Sequence, residues 1–310
     1  MSGPVSDVDA DPTEANVRHP DVSAIEVYAS RTADVAGESV KRALPRRARR
    51  TVGAWCFLDH FGPHDVTPKN AMMVGPHPHI GLQTVTWLLA GEAVHTDSLG
   101  SEQLIRAGQV NLMSAGNGVA HAEDGRDRPA AVLHGVQLWI AQPAATRTGS
   151  AAFEHHAEPP RAELENGAAT VLVGEFGGLL SPARADSPLV GVDLDLAGPV
   201  TFDAVRAFEY AVVVLLGAVR IEGTSVRQDE LAYLGTGREQ IALTAERGTR
   251  ALLLGGEPFA EPILMWWNFV ARSRDEIERA YGDWHERTGR FGDTRSTLDP
   301  MPIPRPPWMD

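Results

Sequence analysis

Along this chain the hydrophobic positions gather into short runs closed by glycine or proline, the pattern of strands ended by turns. Thr84 to Leu89 is followed by Gly91, Gln109 to Met113 by Gly116, and Leu133 to Ala141 by Pro143. A polar stretch from Glu154 to Asn166 intervenes. The same style then returns in Thr170 to Val173, Leu189 to Leu196, Tyr210 to Ile221, Glu230 to Leu234, Ile241 to Thr244 and Arg250 to Leu254. Leu194 and Leu196 alternate with Asp193 and Asp195, which is the period of a half-buried strand. Two strand-rich halves of similar length predict an all-β chain of two tandem jelly-roll barrels. The period changes near the end: Ser273-Arg-Asp-Glu276 forms a capping box, and Ile277, Ala280, Tyr281 and Trp284 recur at helical spacing, so a C-terminal helix packed by one face is predicted. Residues 1–20, polar and without apolar period, read as a disordered leader. The proline-rich residues 291–310 read as an extended tail.

Composition narrows the function. The chain has 310 residues, 43% hydrophobic and 22% charged, with a formal net charge of -13. That field repels nucleic acid and anionic lipid, so neither a nucleic acid nor a membrane is an expected partner. The arginine-rich run Arg42 to Arg50 therefore reads as a solvated, salt-bridged surface. The single cysteine, Cys56, excludes an internal disulfide and lies in the apolar run Trp55 to Leu58, where it reads as core. A signal-like start and a membrane-length apolar run are both missing from the sequence, so a cytoplasmic monomer is expected.

Histidine placement supplies the chemistry. Seven of the eleven histidines fall between His60 and His134, and none between His156 and His285. His77-Pro78-His79 puts two imidazoles on one face of an extended chain, and His121-Ala122-Glu123 repeats the arrangement with an imidazole and a carboxylate. Two facing strands could converge all four. Pro78 cannot donate to a ladder, which assigns the first pair to a strand start, edge or bulge. Imidazole with carboxylate suits one divalent transition metal: iron, manganese, nickel, copper or zinc. Vacant positions on such a metal would admit water, dioxygen or a substrate oxygen. Glu123 reads either as a direct ligand or as a neighbour that engages in some states only. His60 reads as a hydrogen-bonded structural residue, and His95 and His134 as cavity-lining, ligand-orienting or ordinary buried residues. Gly91, Gly108, Gly116 and Gly118 read as barrel turns.

Several ordered segments also resemble one family. These are Arg46 to Pro63 (RRARRTVGAWCFLDHFGP), His77 to Gly91 (HPHIGLQTVTWLLAG), His95 to Gly100 (HTDSLG), Gly108 to Glu123 (GQVNLMSAGNGVAHAE), Val136 to Ile140 and Gly255 to Asn268. Together they resemble the pirin family of two-barrel cupins over residues 20 to 290. The resemblance implies a metal-binding N-terminal cupin over residues 21–150 and a metal-free C-terminal cupin over residues 151–290. It implies a single non-haem iron held by His77, His79, His121 and Glu123. Some members cleave flavonols such as quercetin with dioxygen, which implies a small aromatic substrate and a catalytic role for Glu123 in deprotonating it. The vertebrate member is a redox-sensing nuclear cofactor, which implies the alternative of a non-enzymatic, metal-dependent regulatory module with a protein partner. A cupin isomerase or hydrolase is a third reading. This chain departs from the family's common His-Pro-His-Arg-Gly-Phe-Glu motif, with Ile80, Leu82 and Gln83 in place of Arg, Phe and Glu. Gln83 can orient a ligand by hydrogen bonding but cannot act as a base, which leaves proton transfer to Glu123 or a metal-bound water.

Overall fold

The computed structural model describes residues 24–67, 70–126 and 131–309, so the leader expected over residues 1–20 lies outside the described residues. Strands dominate, and Arg274–His285 is the only helix among the described residues. Ser273 caps it as predicted, accepting from the Glu276 backbone N–H, and Ile277 and Ala280 are its buried face. Among the described residues no helix is long and apolar enough to cross a membrane.

Each half pairs a large sheet with a four-stranded one. The first large sheet runs in the order Ala152–His156, Val110–Ser114, Leu82–Ala90, Val132–Ala141, Trp55–Asp65, Glu38–Leu44 and Arg31–Val35. Opposite it stand Met73–His79, Val119–Asp124, Glu92–Asp97 and Glu102–Arg106. The second large sheet runs Glu26–Ala29, Glu230–Gly235, Glu209–Leu216, Thr249–Gly256, Leu189–Leu196, Gly167–Phe176 and Arg161–Leu164, with Leu179–Leu180 attached at one side. Its partner sheet is Pro199–Asp203, Gln240–Ala245, Ala218–Ile221 and Thr224–Arg227. This is the all-β, two-barrel architecture that the runs predict. The run Tyr210 to Ile221 is not one strand, however. It breaks at Gly217 (φ 76°), so that Glu209–Leu216 and Ala218–Ile221 join different sheets. The polar stretch Glu154 to Asn166 holds the strand Arg161–Leu164, a sheet edge whose alternating exposure suits polar side chains.

The two large sheets pack face to face and share one core. Trp55, Leu58, Val85 and Leu138 from the first meet Leu172, Leu189, Val213 and Leu252 from the second. Trp55 anchors the seam: its Nε1–H donates to the Val190 and Gly255 carbonyls at 3.1 and 3.2 Å. Its ring occupies the place that a side chain at Gly191 would fill, 2.6 Å from an ideal Cβ there. Strand Leu189–Leu196 is consequently covered on both faces. Val190, Val192, Leu194 and Leu196 point into the second barrel, while Leu189, Gly191 and Asp193 face the first. The alternation predicted a half-buried strand, yet Asp193 is 2% exposed because its face meets the other barrel instead of water.

The arginine run also turns partly inward. Arg42 is buried, forms a two-pronged pair with Asp59 at 2.7 Å on each side, and lies over the Phe57 ring. Arg49 is buried over Tyr233, 3.4 Å from its ring centroid, and reaches Glu26. The expectation of a wholly solvated surface fails at both positions: strand register turns Arg42 into the first barrel beside Asp59, and Tyr233 of the second barrel covers Arg49. Cys56 is core as expected, and burial pushes its thiol up to about 12.

His60 and His134 belong to this seam. His60 Nδ1 meets Asp229 Oδ1 at 2.9 Å, and its Nε2 meets His134 Nε2 at 2.9 Å. His60 is therefore the hydrogen-bonded structural residue expected, and His134 is its partner.

Replacing Trp55 by Ala should cost about 3–5 kcal/mol in denaturant unfolding, since it empties the centre of the shared core. Burial, with His60 adding to it, lowers the His134 imidazole to about 4. The folded state therefore prefers neutral His134, while the unfolded chain takes up the proton near 6.5. Stability is lost as pH falls from about 6.5 toward 4, by up to about 3 kcal/mol from this residue. The melting temperature of His134→Gln should accordingly fall less steeply than that of the parent across that window.

Candidate metal centre

Two neighbouring antiparallel strands carry the predicted ligands. His77 and His79 lie on Met73–His79, an edge strand as Pro78 requires, and His121 and Glu123 lie on Val119–Asp124. His121 pairs directly with His77, and Val119 with His79. Beyond His121 the register slips, so that Glu123 faces Val74. All four side chains are buried. One coordinating nitrogen from each of His77, His79 and His121 lies within 4.8 Å of the other two, a group that could hold a metal ion. The Glu123 carboxylate is outside that group. The bulge beside it shifts it along the strand, and its Oε1 lies 3.5 Å from the Thr86 hydroxyl, which itself donates to Gln137 Oε1 at 2.9 Å.

The hydrogen bonds behind the imidazoles fix their tautomers. His77 Nδ1–H donates to the Gly75 carbonyl at 2.8 Å, and His79 Nδ1–H to the Asn268 carbonyl at 3.1 Å. His121 Nδ1 lies 3.4 Å from His95 Nδ1, whose ring passes its own Nε2–H to Asp97 Oδ2 at 3.1 Å. Asp97 is held in turn by the backbone N–H groups of Leu99 and Ser101, both at 2.9 Å from Oδ1. With every Nδ1 proton committed outward, every Nε2 lone pair points inward. His79 Nε2 and His121 Nε2 are only 3.0 Å apart, and His77 Nε2 is buried with no hydrogen-bond partner among the described residues. Bare lone pairs this close repel unless a cation stands among them. The donor set thus fits a transition metal.

Electrostatics agree with this fit. Burial lowers the His77 imidazole to about 4, and burial together with the neighbouring rings holds His79 and His121 well below the ordinary histidine value. All three are neutral and ready to ligate at pH 7. Two indole edges close the surroundings, Trp139 against His79 and Trp267 against His77, with ring centroids 5.5 and 6.4 Å apart.

Of the residues singled out in the sequence, His95 is a ligand-orienting group, stacked on Phe153 behind His121. His134 stands apart at the seam. The hydrogen bonds of Gln83 go to Ser114 Oγ and the Arg184 carbonyl, not to an imidazole. Its strand presents it to the second barrel, so the ligand-orienting role expected of it is not seen. Asn268 was missed as a contributor. Residues Leu264–Trp266 and Phe269–Ala271 form a hairpin whose tip, Trp267-Asn268, docks beside His79, with Val270 N–H donating to the Ile80 carbonyl at 3.1 Å. Gly81 (φ 67°) makes room, since a Cβ there would lie 2.1 Å from the Val270 carbonyl oxygen. The strained φ of Trp267, 51°, belongs to the same tip. His79 uses a main-chain carbonyl at this tip, which no side-chain motif could reveal.

Two barrels and a buried imidazole trio on paired strands of the first define a two-barrel cupin with a candidate metal centre. Family models agree: residues 37–140 match Pirin and residues 189–292 match the Pirin C-terminal cupin domain. A Pseudomonas aeruginosa protein provisionally named a quercetin 2,3-dioxygenase is 46% identical over 285 residues, 90% of each chain. A pirin-like protein of Caulobacter vibrioides is 38% identical over 275 residues, covering 86% of this chain and 93% of that one. The crystal structure of a quercetin 2,3-dioxygenase from Acinetobacter baumannii superposes with a TM-score of 0.87 at 43% identity, over 91% of this chain and 95% of that one. The chain belongs to the pirin family.

The Asp97–His95 pair should set how well His121 binds. Asp97→Asn is expected to weaken affinity for a divalent metal about 10–100-fold in chelator competition, with the melting temperature of the metal-free protein little changed.

Proposed function

We propose that this chain is a mononuclear metal-dependent dioxygenase acting on a flavonol-like aromatic enol, with His77, His79, His121 and Glu123 as metal-binding residues and iron as the metal. The observation that carries the reading is the convergence of three neutral, tautomer-fixed imidazoles in a buried pocket, with a carboxylate one strand step away. The quercetin 2,3-dioxygenase names of two relatives that cover about nine-tenths of the chain point to the substrate class.

When bound, iron would supply Lewis acidity and one-electron chemistry toward dioxygen, which organic side chains do not. The protein's own part is positional and protic. Gly75, Asn268 and His95 hold the three rings so that no ligand must reorient during turnover. Glu123 accepts the proton of the substrate hydroxyl, and the Thr86–Gln137 pair fixes the side of the carboxylate that faces away from that exchange. Trp139 and Trp267 keep bulk water from the rings, which strengthens each polar contact inside.

Quercetin added to protein loaded with iron, manganese, nickel, copper or zinc should give coupled dioxygen uptake and carbon monoxide release with at least one of them. Silence with all five would reject the flavonol reading and favour the metal-dependent regulatory module. Because three imidazoles remain, Glu123→Gln should keep metal content within about twofold. Its kcat should nevertheless fall by about 100-fold or more, the usual contribution of a general base.

A further inference from the structure

Away from the metal, the seam contains one polar break. Strand Leu189–Leu196 turns Asp193 toward the first barrel, Thr170 lies beside it on the neighbouring strand, and Arg250 stands opposite Asp195 on the other side. Trp87 reaches the same place from strand Leu82–Ala90, and Pro159, from the segment between the barrels, forms a wall. Together they line a cleft of about 420 Å³ with Leu88 and Leu89 along its apolar side. That volume is in the range of small-molecule sites.

The composition of this cleft is not what stability alone would choose. The residues that flank Asp193 and Arg250 along the same sheet face, Leu189, Leu172, Leu252 and Leu254, are all seam hydrophobics. A buried ion pair in such a setting commonly contributes less than aliphatic side chains of the same volume. Arg250 Nη2 pairs with Asp193 Oδ2, and its Nη1 reaches Asp195 at 3.3 Å. Those pairs leave three buried atoms without a completed hydrogen bond among the described residues: Asp193 Oδ1, Arg250 Nε and Trp87 Nε1, whose indole N–H is turned to the same carboxylate. One acceptor and two donors are thus gathered at one floor, and each buried polar group left unmade costs about 1–3 kcal/mol.

We propose that this cleft is a second binding site, for a small neutral compound carrying adjacent hydroxyl groups. The charge pattern selects that class, since the two carboxylates of the lining, Asp193 and Glu158, are matched by two guanidiniums, Arg250 and Arg161. A carboxylate or phosphate would face the Asp193 lone pairs with no proton to offer. An ammonium would face Arg250 and the indole N–H with no lone pair to offer. A hydroxyl does both, donating to Asp193 Oδ1 and accepting from Arg250 Nε or Trp87 Nε1. A second hydroxyl on the next carbon satisfies the remaining donor, and the carbon skeleton lies against Leu88, Leu89 and Pro159. Saccharides, polyols and catechols share this chemistry. The site is back to back with the metal centre, because Trp87 and Thr86 are consecutive on one strand and Thr86 points the other way, to Glu123.

Ligand-observed NMR on the full chain tests this with trans-1,2-cyclohexanediol, cyclohexanecarboxylate and cyclohexylamine, which share one ring and differ in charge. D-glucose and catechol serve as the saccharide and aromatic arms. The diol should bind, the acid and the amine should not, and the two arms show which skeleton is preferred. Trp87→Phe, which removes the indole N–H along with its five-membered ring, and Arg250→Lys, which replaces the guanidinium and its Nε by an ammonium, should each weaken diol binding about 10-fold in protein whose circular dichroism matches that of the parent. Binding of the acid or the amine at least as strong as that of the diol would overturn the proposal. So would diol binding indifferent to both substitutions, or no binding by the diol, glucose or catechol.

Discussion

Three imidazole lone pairs directed at one point in a dry interior form an arrangement that the protein cannot hold cheaply by itself, and much of the architecture serves to hold it. The protons that would relieve the repulsion are committed outward, to the Gly75 and Asn268 carbonyls and to His95. Each of those acceptors depends on something further away. Asn268 depends on a hairpin that follows the second barrel, and His95 depends on Asp97 and on the turn whose amides grip it. Burial then keeps the imidazoles neutral. Geometry, tautomer and protonation are therefore set together, in a group that could hold a metal ion.

Much of this was legible in the sequence because it obeys short-range periods. Strand alternation was enough to place His77 with His79 and His121 with Glu123, and the capping box at Ser273 marked the helix start. What escaped notice had long-range causes. Asp193 follows the predicted alternation, yet its face is buried, since period alone cannot say what will cover a strand. Arg49 looks like surface charge until a second barrel is laid over it, and Arg42 until its strand register turns it inward to Asp59. Glu123 occupies the predicted strand position, but a register slip displaces its carboxylate from the imidazole group, and a one-residue slip leaves no mark in composition. His60 was read as a hydrogen-bonded structural residue, but its partner His134, 74 positions away with a ring nitrogen at 2.9 Å, could not be named from the sequence.

The seam shows how two barrels divide the labour. The first carries the imidazoles and the second carries none between His156 and His285, yet the second is not idle. It closes the outer face of the sheet Leu82–Ala90 and Val132–Ala141, whose inner face bears Thr86 and Gln137. Both faces of those strands are thereby packed, so the inner polar residues are supported by close-packed aliphatic and indole groups where solvent would otherwise reach them.

The hairpin tip at Trp267-Asn268 has a consequence for how such a protein can be inherited or redesigned. One imidazole of the first barrel takes its orientation from a carbonyl encoded nearly two hundred positions later, beyond the whole second barrel. The first barrel is therefore not a portable cassette. Recombination that joined it to a different C-terminal partner would preserve every histidine and still leave His79 free to choose the wrong tautomer. What natural selection can exchange as a unit is the double barrel with its returning hairpin.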